Sequence, residues 1–355
     1  MDLTKKLSLL VFLVCVLISL KNQKAETDSR SVLGDPPARR NLGENESPSA
    51  AGDQEVLRYD YYSESCPSAE KIIRLTVREL YEKNISVAPA LLRLVFHDCF
   101  VMGCDASVLL DSDGEIKTEK DTAPNLSLKG FEHIDIIKSK LEQACSGVVS
   151  CADTLVLAAR ESVVLVGGQF YPLLTGRKDS KNAFPQNALK DIPHPDFDVN
   201  NAIEAFALKG FDARETVALL GAHSTGRINC NFIRGRLFNF SGTNLPDPSI
   251  NTEFVEVLRS HLSTSFENRA MRMDYEGPGK NFGTVYYNSL LQGKGLLTVD
   301  QQMTAGTETK PWVEEYASNN LRFRRDFGLA MMKLSNLQVL TAPEGEVRLN
   351  CRTVN

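Results

Sequence analysis

The hydrophobic and polar positions after about residue 56 repeat mainly with the spacing of amphipathic helices. Between Ser68 and Lys83, Ile73, Val77 and Leu80 recur near one face, and Ser68 is a candidate N-cap. The same periodicity predicts seven further helices: Val87 to Asp98, Phe131 to Ala144, Cys151 to Val166, Asp198 to Leu208, Asp212 to His223, Thr252 to Ser265 and Val313 to Leu334. Strand-like alternation is confined to short stretches, such as Leu296 to Val299 and Glu346 to Leu349. The pattern predicts a mostly α domain with a few short β hairpins.

The N-terminal region has a different pattern. Two lysines at positions 5 and 6 precede an apolar run from Leu7 to Leu20, which is the layout of a secretory signal peptide. As a helix this run spans about 21 Å, less than the roughly 30 Å hydrocarbon core of a bilayer, so we expect no stable membrane insertion. We predict that residues 1–20 are the signal peptide, cleaved between residues 20 and 26. Residues 21–55 are polar and predict a disordered extension.

Secretion changes the interpretation of the eight cysteines, because thiols are expected to pair in an oxidising compartment. Loss of Cys15 with the signal peptide leaves an odd number, which predicts three disulfides and one free thiol, with the connectivity open. Candidate glycan acceptors in Asn-x-Ser motifs are Asn45, Asn84, Asn125 and Asn239. A formal charge of -5 gives no general attraction to nucleic acid or anionic lipid.

One predicted helix carries a candidate chemical site. Arg93 and His97 stand four residues apart, and Phe96 stands three from Arg93, so a cation, a base and an aromatic ring share one side. Taken alone, such a pair is more often a core histidine with a surface cation. Context is therefore needed to assign a function.

The residues that follow this helix offer three interpretations. Cys99 and Cys104 flank a glycine turn, with two carboxylates and a hydroxyl close by. Such hard oxygen ligands suit calcium, but a disulfide-closed loop with solvated acids fits the spacing equally well. A Cys99 nucleophile acting with His97 is disfavoured, because adjacent side chains diverge and Cys104 would consume the thiol.

The segment Arg93-Leu-Val-Phe-His97-Asp-Cys-Phe100 resembles the distal helix of the secretory plant peroxidases (class III). The likeness extends over essentially all of residues 57 to 355, in the motifs Tyr-Tyr-Ser-Glu-Ser-Cys66-Pro, Thr118-Glu119-Lys-Asp, Val149-Ser-Cys151-Ala-Asp153, Gly176-Arg-Lys-Asp179, Leu219-Leu-Gly-Ala-His223-Ser224 and Arg348-Leu-Asn-Cys351. It implies a two-lobed haem peroxidase fold over residues 56–355, with haem b between the lobes. It also implies hydrogen peroxide and small phenolic donors as substrates, a monomer, and export to the extracellular space or cell wall.

The resemblance also implies roles for individual residues. His223 is the implied axial ligand of the haem iron, and Asp300 the carboxylate that accepts its other N–H. Peroxide cleavage is assigned to Arg93, His97 and Asn125, with Phe96 closing the distal side. Pro193 and Phe232 are the implied donor contacts.

Further implied features are a calcium site and three disulfides. The distal calcium ligands are Asp98, Val101, Gly103, Asp105 and Ser107, with Ser224 as a proximal ligand. The implied pairs are Cys66 with Cys145, Cys99 with Cys104 and Cys151 with Cys351. Cys230 is left free because Leu262 stands where the family has its partner.

The chain departs from the family pattern near the proximal calcium and the haem. Glu276 and Gly283 replace two acids of the proximal calcium site, so that site is expected to bind weakly or not at all. Ser86 replaces an arginine that meets a haem propionate. These losses motivate a rival hypothesis, a secreted calcium-binding glycoprotein that keeps the fold with little or no turnover.

Overall fold

The computed structural model describes residues 56–114, 117–262, 270–273 and 282–355. The predicted signal peptide and extension, Asn45 and Glu276 lie outside these residues. The described part contains thirteen α-helices: α1 Ala69–Lys83, α2 Val87–Cys99, α3 Phe131–Ala144, α4 Cys151–Leu165, α5 Pro185–Asp191, α6 Val199–Leu208, α7 Ala213–Leu220, α8 Asn231–Phe238, α9 Thr252–Leu262, α10 Thr284–Leu291, α11 Thr298–Gln302, α12 Lys310–Ser318 and α13 Asn320–Ser335. Two short strands, β1 Arg227–Asn229 and β2 Ala270–Arg272, pair antiparallel. The mostly α prediction is confirmed.

Helix α4 lies at the centre of the larger part of the core. It is buried from Cys151 to Val163 on all sides, as a helix without a polar face must be. The Ser150 side chain caps it by accepting from Asp153 N at 3.1 Å. Helices α1 and α2 both pack against α4, and α2 carries Arg93 and His97. The apolar face of α2 therefore fixes the height and rotation of these two polar side chains.

Two predicted helices are interrupted in the structure. The single helix expected from Val313 to Leu334 is divided into α12 and α13 at Asn319, whose side chain accepts from Arg322 N and caps the second helix. The helix expected from Asp212 to His223 ends at Leu220 and continues as a 3₁₀ turn, Gly221–Ser224. A periodic apolar pattern persists through such breaks, so it does not reveal them.

The two predicted strands are wrong. Leu296 to Val299 leads into α11, and Glu346 forms one isolated bridge, with Asp179. Ser68 precedes α1, but its side chain makes no capping hydrogen bond. The pattern also missed four short helices, α5, α8, α10 and α11, since a helix of five to eight residues has too few turns to establish a period.

The apolar residues bury themselves in two main clusters. The larger cluster takes in α1 to α4, α6, α7, α10, α12 and α13. The smaller includes Ile233, Leu258 and Leu296, and partly buried Leu220 packs against both clusters. Because His223 follows Leu220 by three residues, it lies next to the place where the clusters meet.

Covalent and ionic links hold the larger cluster together. Three disulfides are present: Cys66–Cys145, Cys99–Cys104 and Cys151–Cys351. Asp153 and Arg177 form a fully buried ion pair at 2.7 Å, and Asp153 also accepts from Tyr62 Oη at 2.7 Å. Among the described residues, the structure contains no helix with the length and apolar character that a membrane crossing requires.

Among the cysteines that the structure describes, Cys230 alone is free, and it is buried in the smaller cluster. Leu262, at the end of α9, is buried in the same cluster. An apolar side chain thus fills the core of this cluster where the family pattern has a second cysteine.

Candidate active site

His223 is positioned by a capped helix and a close glycine contact. Asp212 and Glu215 form a capping box that begins α7. Beyond the end of α7, a Cβ on Gly221 would lie 2.5 Å from the Tyr287 hydroxyl, so only glycine lets the chain pass here. The following 3₁₀ turn then presents the His223 imidazole.

A buried carboxylate orients the His223 ring. His223 Nδ1 donates to Asp300 Oδ1 at 2.9 Å, and Asp300 is 1% exposed. Desolvation acts to lower the pKa of His223, but the charge and hydrogen bond of Asp300 outweigh it, so this pKa is raised. With Nδ1 engaged, Nε2 is the atom left to bind a ligand, and the hydrogen bond makes it more electron-donating.

His97 is held by a two-part amide clamp. Asn125 Nδ2 donates to the Glu119 carbonyl at 2.8 Å, which turns the Asn125 carboxamide oxygen toward His97. The Oδ1 atom therefore accepts from His97 Nδ1 at 2.6 Å. This fixes the imidazole tautomer with its proton on Nδ1 and a free lone pair on Nε2. Burial lowers the pKa of His97 to about 3, and the charge of Arg93 adds to this effect.

Arg93 is aimed by the same loop. Its Nη1 donates to Ser127 Oγ at 3.0 Å, and its Nη2 donates to the Pro124 carbonyl at 3.1 Å. Neither Ser127 nor Pro124 was predicted as part of the site. The only sequence signal was their closeness to Asn125, since a loop that orients one catalytic side chain can orient its neighbour.

Arg93 lies near both histidines. The Arg93 side chain is accessible to solvent, yet desolvation lowers its pKa, and both hold for a group that lines a concave recess. His223 likewise keeps 32% side-chain exposure although desolvation is the largest influence on its pKa. The charge of Arg93 lowers the pKa of both histidines, so Arg93 lies within electrostatic range of each of them.

Aromatic rings form one wall on the His97 side. Phe96 packs edge-on against His97 with ring centroids 5.9 Å apart, and it stacks on Phe100 at 4.6 Å and Phe206 at 5.8 Å. Phe96 is only partly buried, whereas Phe100 and Phe206 are buried. The partly exposed Phe96 ring thus continues the apolar core up to His97.

Comparison with known proteins shows to which family this sequence belongs. The sequence model of the peroxidase family matches residues 73–319. The chain belongs to the peroxidase family. Putative Peroxidase 48 of Arabidopsis thaliana is 47% identical over 334 residues, covering 84% of this chain and 83% of the relative. Peroxidase 28 of the same plant is 40% identical over 299 residues, covering 84% of this chain and 93% of its own.

The loop after α2 gives this peroxidase a cluster of buried acids. Asp98, Asp105 and Glu119 are at most 2% exposed. Burial raises the pKa of Asp98 well above its usual range, that of Asp105 to about 6 and that of Glu119 to about 7. Asp98 Oδ1, Glu119 Oε2 and Ser107 Oγ are buried without a hydrogen bond. Orphaned oxygens in an acidic, desolvated place fit a bound cation.

The backbone of this loop is tightly constrained. Met102, Gly103 and Ala106 have positive φ values of 60°, 108° and 59°. A Cβ on Gly103 would lie 2.3 Å from the Gln338 carbonyl oxygen. Over the described ranges no three His, Cys, Asp or Glu side chains converge as metal ligands, so a cation here would also need backbone carbonyls and Ser107. The Cys99–Cys104 disulfide removes Cys99 as a nucleophile.

The proximal side of the peroxidase lacks such a cluster in its described part. Ser224 Oγ is buried without a hydrogen bond beside His223. Gly283 has φ +97°, and a Cβ there would lie 2.0 Å from the Phe323 ring. The phenyl group thus occupies the room in which a carboxylate at position 283 would begin.

The remaining predicted residues lie in accessible places. Pro193 is partly buried in the loop between α5 and α6, and Phe232 is 45% exposed on α8, so their roles as donor contacts stay predictions. Ser86 is exposed just before α2. Asn84 and Asn239 are exposed, whereas Asn125 is buried with its amide engaged, which argues against a glycan there.

Proposed function

We propose that the chain is a haem-dependent peroxidase that reduces hydrogen peroxide and oxidises small phenolic donors in one-electron steps. The observation that carries this proposal is the amide clamp on His97. The clamp leaves an unprotonated Nε2 on His97, and Arg93 is within electrostatic range both of His97 and of a second histidine, His223, whose own Nε2 is free to bind iron.

The residues around His223 fit a haem. Gly221 keeps the chain close to the core, and Asp300 directs His223 Nε2 away from itself. His223 would hold the iron through Nε2, with Phe96 as an apolar wall on the other side. The haem, when bound, supplies the electron-transfer centre at which peroxide is reduced.

The protein supplies the proton transfers. His97 Nε2 takes the proton from the inner oxygen of peroxide and returns it to the outer oxygen, which leaves as water. Arg93 stabilises the negative charge that develops as the O–O bond breaks, and the contacts with Ser127 and Pro124 keep its guanidinium in place. Neither residue has to reorganise during the reaction.

The proposal also includes a calcium ion, bound at the end of α2 and in the loop that follows it, which would hold His97 and Asn125 in place. Asp98 follows His97 directly, and Glu119 contributes the carbonyl that orients Asn125. A cation bound by Asp98, Asp105, Ser107 and the carbonyls of Val101 and Gly103 would neutralise the buried acids that flank both catalytic groups. We further propose that the protein is secreted, since six of its cysteines are paired in three disulfides.

The test is a spectrum followed by a kinetic comparison. The purified chain should show a haem Soret band that changes on addition of peroxide. His97→Leu should keep the band and slow this change by about 10²-fold to 10⁴-fold, the contribution of a general acid–base group. His133→Leu on α3 is the matched control and should react as the unmodified chain does. A chain that takes up no haem would instead support the calcium-binding glycoprotein, and unchanged kinetics in His97→Leu would refute the assignment of the base.

A further inference from the structure

A series of oxidisable aromatic side chains leads from the His223 region to the protein surface. Tyr287 on α10 packs against Tyr316 on α12 with ring centroids 5.3 Å apart. Tyr316 in turn lies 6.0 Å from Trp312, one helical turn earlier on α12. Trp312 is the only tryptophan of the chain, and it is partly exposed, whereas both tyrosines are buried.

The inner end of the series touches the segment that carries His223. Tyr287 Oη donates to the Val217 carbonyl of α7 at 2.8 Å, and the Tyr287 hydroxyl limits residue 221 to glycine. The pKa of Tyr287 is raised mainly by desolvation, and the charges of Tyr316 and Asp300 add to this effect. Tyr287 is therefore within electrostatic range of the carboxylate that orients His223.

The middle of the series has a built-in proton acceptor. Tyr316 Oη donates to Asp326 Oδ2 at 3.0 Å, and both residues are buried. Removal of an electron from a phenol makes its proton strongly acidic, so a hydrogen-bonded carboxylate lowers the cost of that oxidation. Ordinary core packing explains the ring contacts, because aromatic pairs prefer these separations. Asp326 Oδ2 also accepts from Arg322 Nε at 2.9 Å, and this ion pair holds the carboxylate against the Tyr316 hydroxyl.

The outer end lies under a cation. The Arg214 guanidinium is 5.7 Å from the Trp312 ring and 4.0 Å from Asp326. A positive charge beside the ring opposes the loss of an electron from it. Removal of the Arg214 charge should therefore make Trp312 easier to oxidise, whereas removal of the aromatic rings should make oxidation at this site slower.

We propose that Trp312, Tyr316 and Tyr287 form a second oxidation site, at which phenolic groups too bulky to enter the haem opening are oxidised at the surface. This inference rests on the proposed function, because hydrogen peroxide is the oxidant. Its ligand class is a phenol attached to a polymer, since a partly exposed ring on an outer helix places no limit on the size of the donor.

The electron balance closes with the same stoichiometry as for small donors. Each hydrogen peroxide takes up two electrons and two protons to give two waters, and two phenolic groups each lose one electron and one proton. Each electron passes from the phenol to Trp312, then to Tyr316 and Tyr287, toward the haem. The Tyr316 proton moves to Asp326 when the ring is oxidised and returns when Trp312 reduces it.

The experiment uses the full haem-loaded chain with peroxide and two donors, a free phenol and a dextran that carries the same phenol. Trp312→Phe and Tyr316→Phe should slow oxidation of the dextran-bound phenol by about tenfold, or about 1.4 kcal/mol of activation free energy, and leave the free phenol unaffected. Tyr171→Phe, which removes the hydroxyl of another buried tyrosine, is the matched control. Arg214→Gln should speed oxidation of the dextran-bound phenol.

A second measurement does not depend on turnover. Peroxide is added without donor in the presence of a nitroso spin trap, and adducts are located by peptide mass spectrometry. An adduct on Trp312 that is lost in Tyr316→Phe supports the series. The second site is refuted if Trp312 is labelled equally in Tyr316→Phe, or if Trp312→Phe oxidises the dextran-bound phenol as fast as the unmodified chain does. In either case, continued oxidation of the free phenol would leave the proposed function intact. A chain that takes up no haem and oxidises neither donor overturns both the second site and the proposed function.

Discussion

Asn125→Ala tests the link between a hydrogen-bond clamp and the rate of peroxide reduction. The substitution removes the 2.6 Å bond to His97 Nδ1 and the 2.8 Å bond to the Glu119 carbonyl. It leaves a buried N–H without an acceptor, at a cost of about 1–3 kcal/mol, and releases the tautomer of the ring. At 1.36 kcal/mol for each factor of ten, loss of that amount from the transition state slows the reaction about 5-fold to 150-fold.

Stopped-flow measurement of the Soret change gives the second-order rate constant with peroxide for comparison. Thr122→Val is the matched control, because Thr122 Oγ1 donates to the same Glu119 carbonyl at 2.6 Å but does not touch His97. Both variants lose a buried hydrogen bond, so their free energies of unfolding should fall alike, and only Asn125→Ala should react slowly. Equal rates in the two variants would show that Asn125 does not govern His97.

Three other predictions concern stability and thiol chemistry. Arg177→Met leaves the Asp153 carboxylate buried without its cation and should lower the free energy of unfolding in urea by about 3–5 kcal/mol; a loss under 1 kcal/mol would contradict this. Removal of calcium by a chelator should lower the thermal unfolding midpoint, and Asp98→Asn should abolish that dependence; a chelator effect that survives in the variant would place the calcium elsewhere. Thiol titration of a denatured, unreduced chain lacking residues 1–20 should find one thiol, and none in Cys230→Ala.

The sequence predicted the long helices because their apolar faces repeat over several turns. It could not reveal the break at Asn319, since capping by a side chain leaves the apolar period intact. Nor could it place the end of α7 before His223, because Gly221 and Ala222 are small and apolar and fit a helix as well as a 3₁₀ turn. These local choices depend on packing against Tyr287 and Phe323, which are distant in sequence.

The sequence likewise predicted some residues of the candidate site directly and left others to be found in the structure. Spacing alone placed Arg93, Phe96 and His97 on one side of a helix, because they lie within one turn. His223 and Asp300 are 77 residues apart, so their hydrogen bond was foreseen only through the family resemblance. The Trp312 to Tyr287 series was not foreseen, although the spacing of four between Trp312 and Tyr316 on one helix was a readable signal.

The contact between Gly283 and Phe323 has an evolutionary consequence. An aspartate introduced at position 283 would meet the Phe323 ring at 2.0 Å from its Cβ and would carry a strained positive φ. Phe323 cannot simply be made smaller, because the same ring also packs on Tyr287 and Tyr316. Placing an acid there therefore requires at least two coordinated substitutions, the first of which damages the core. A carboxylate ligand at this position is out of reach of any single mutation, so an evolving chain could acquire one only through a less stable intermediate.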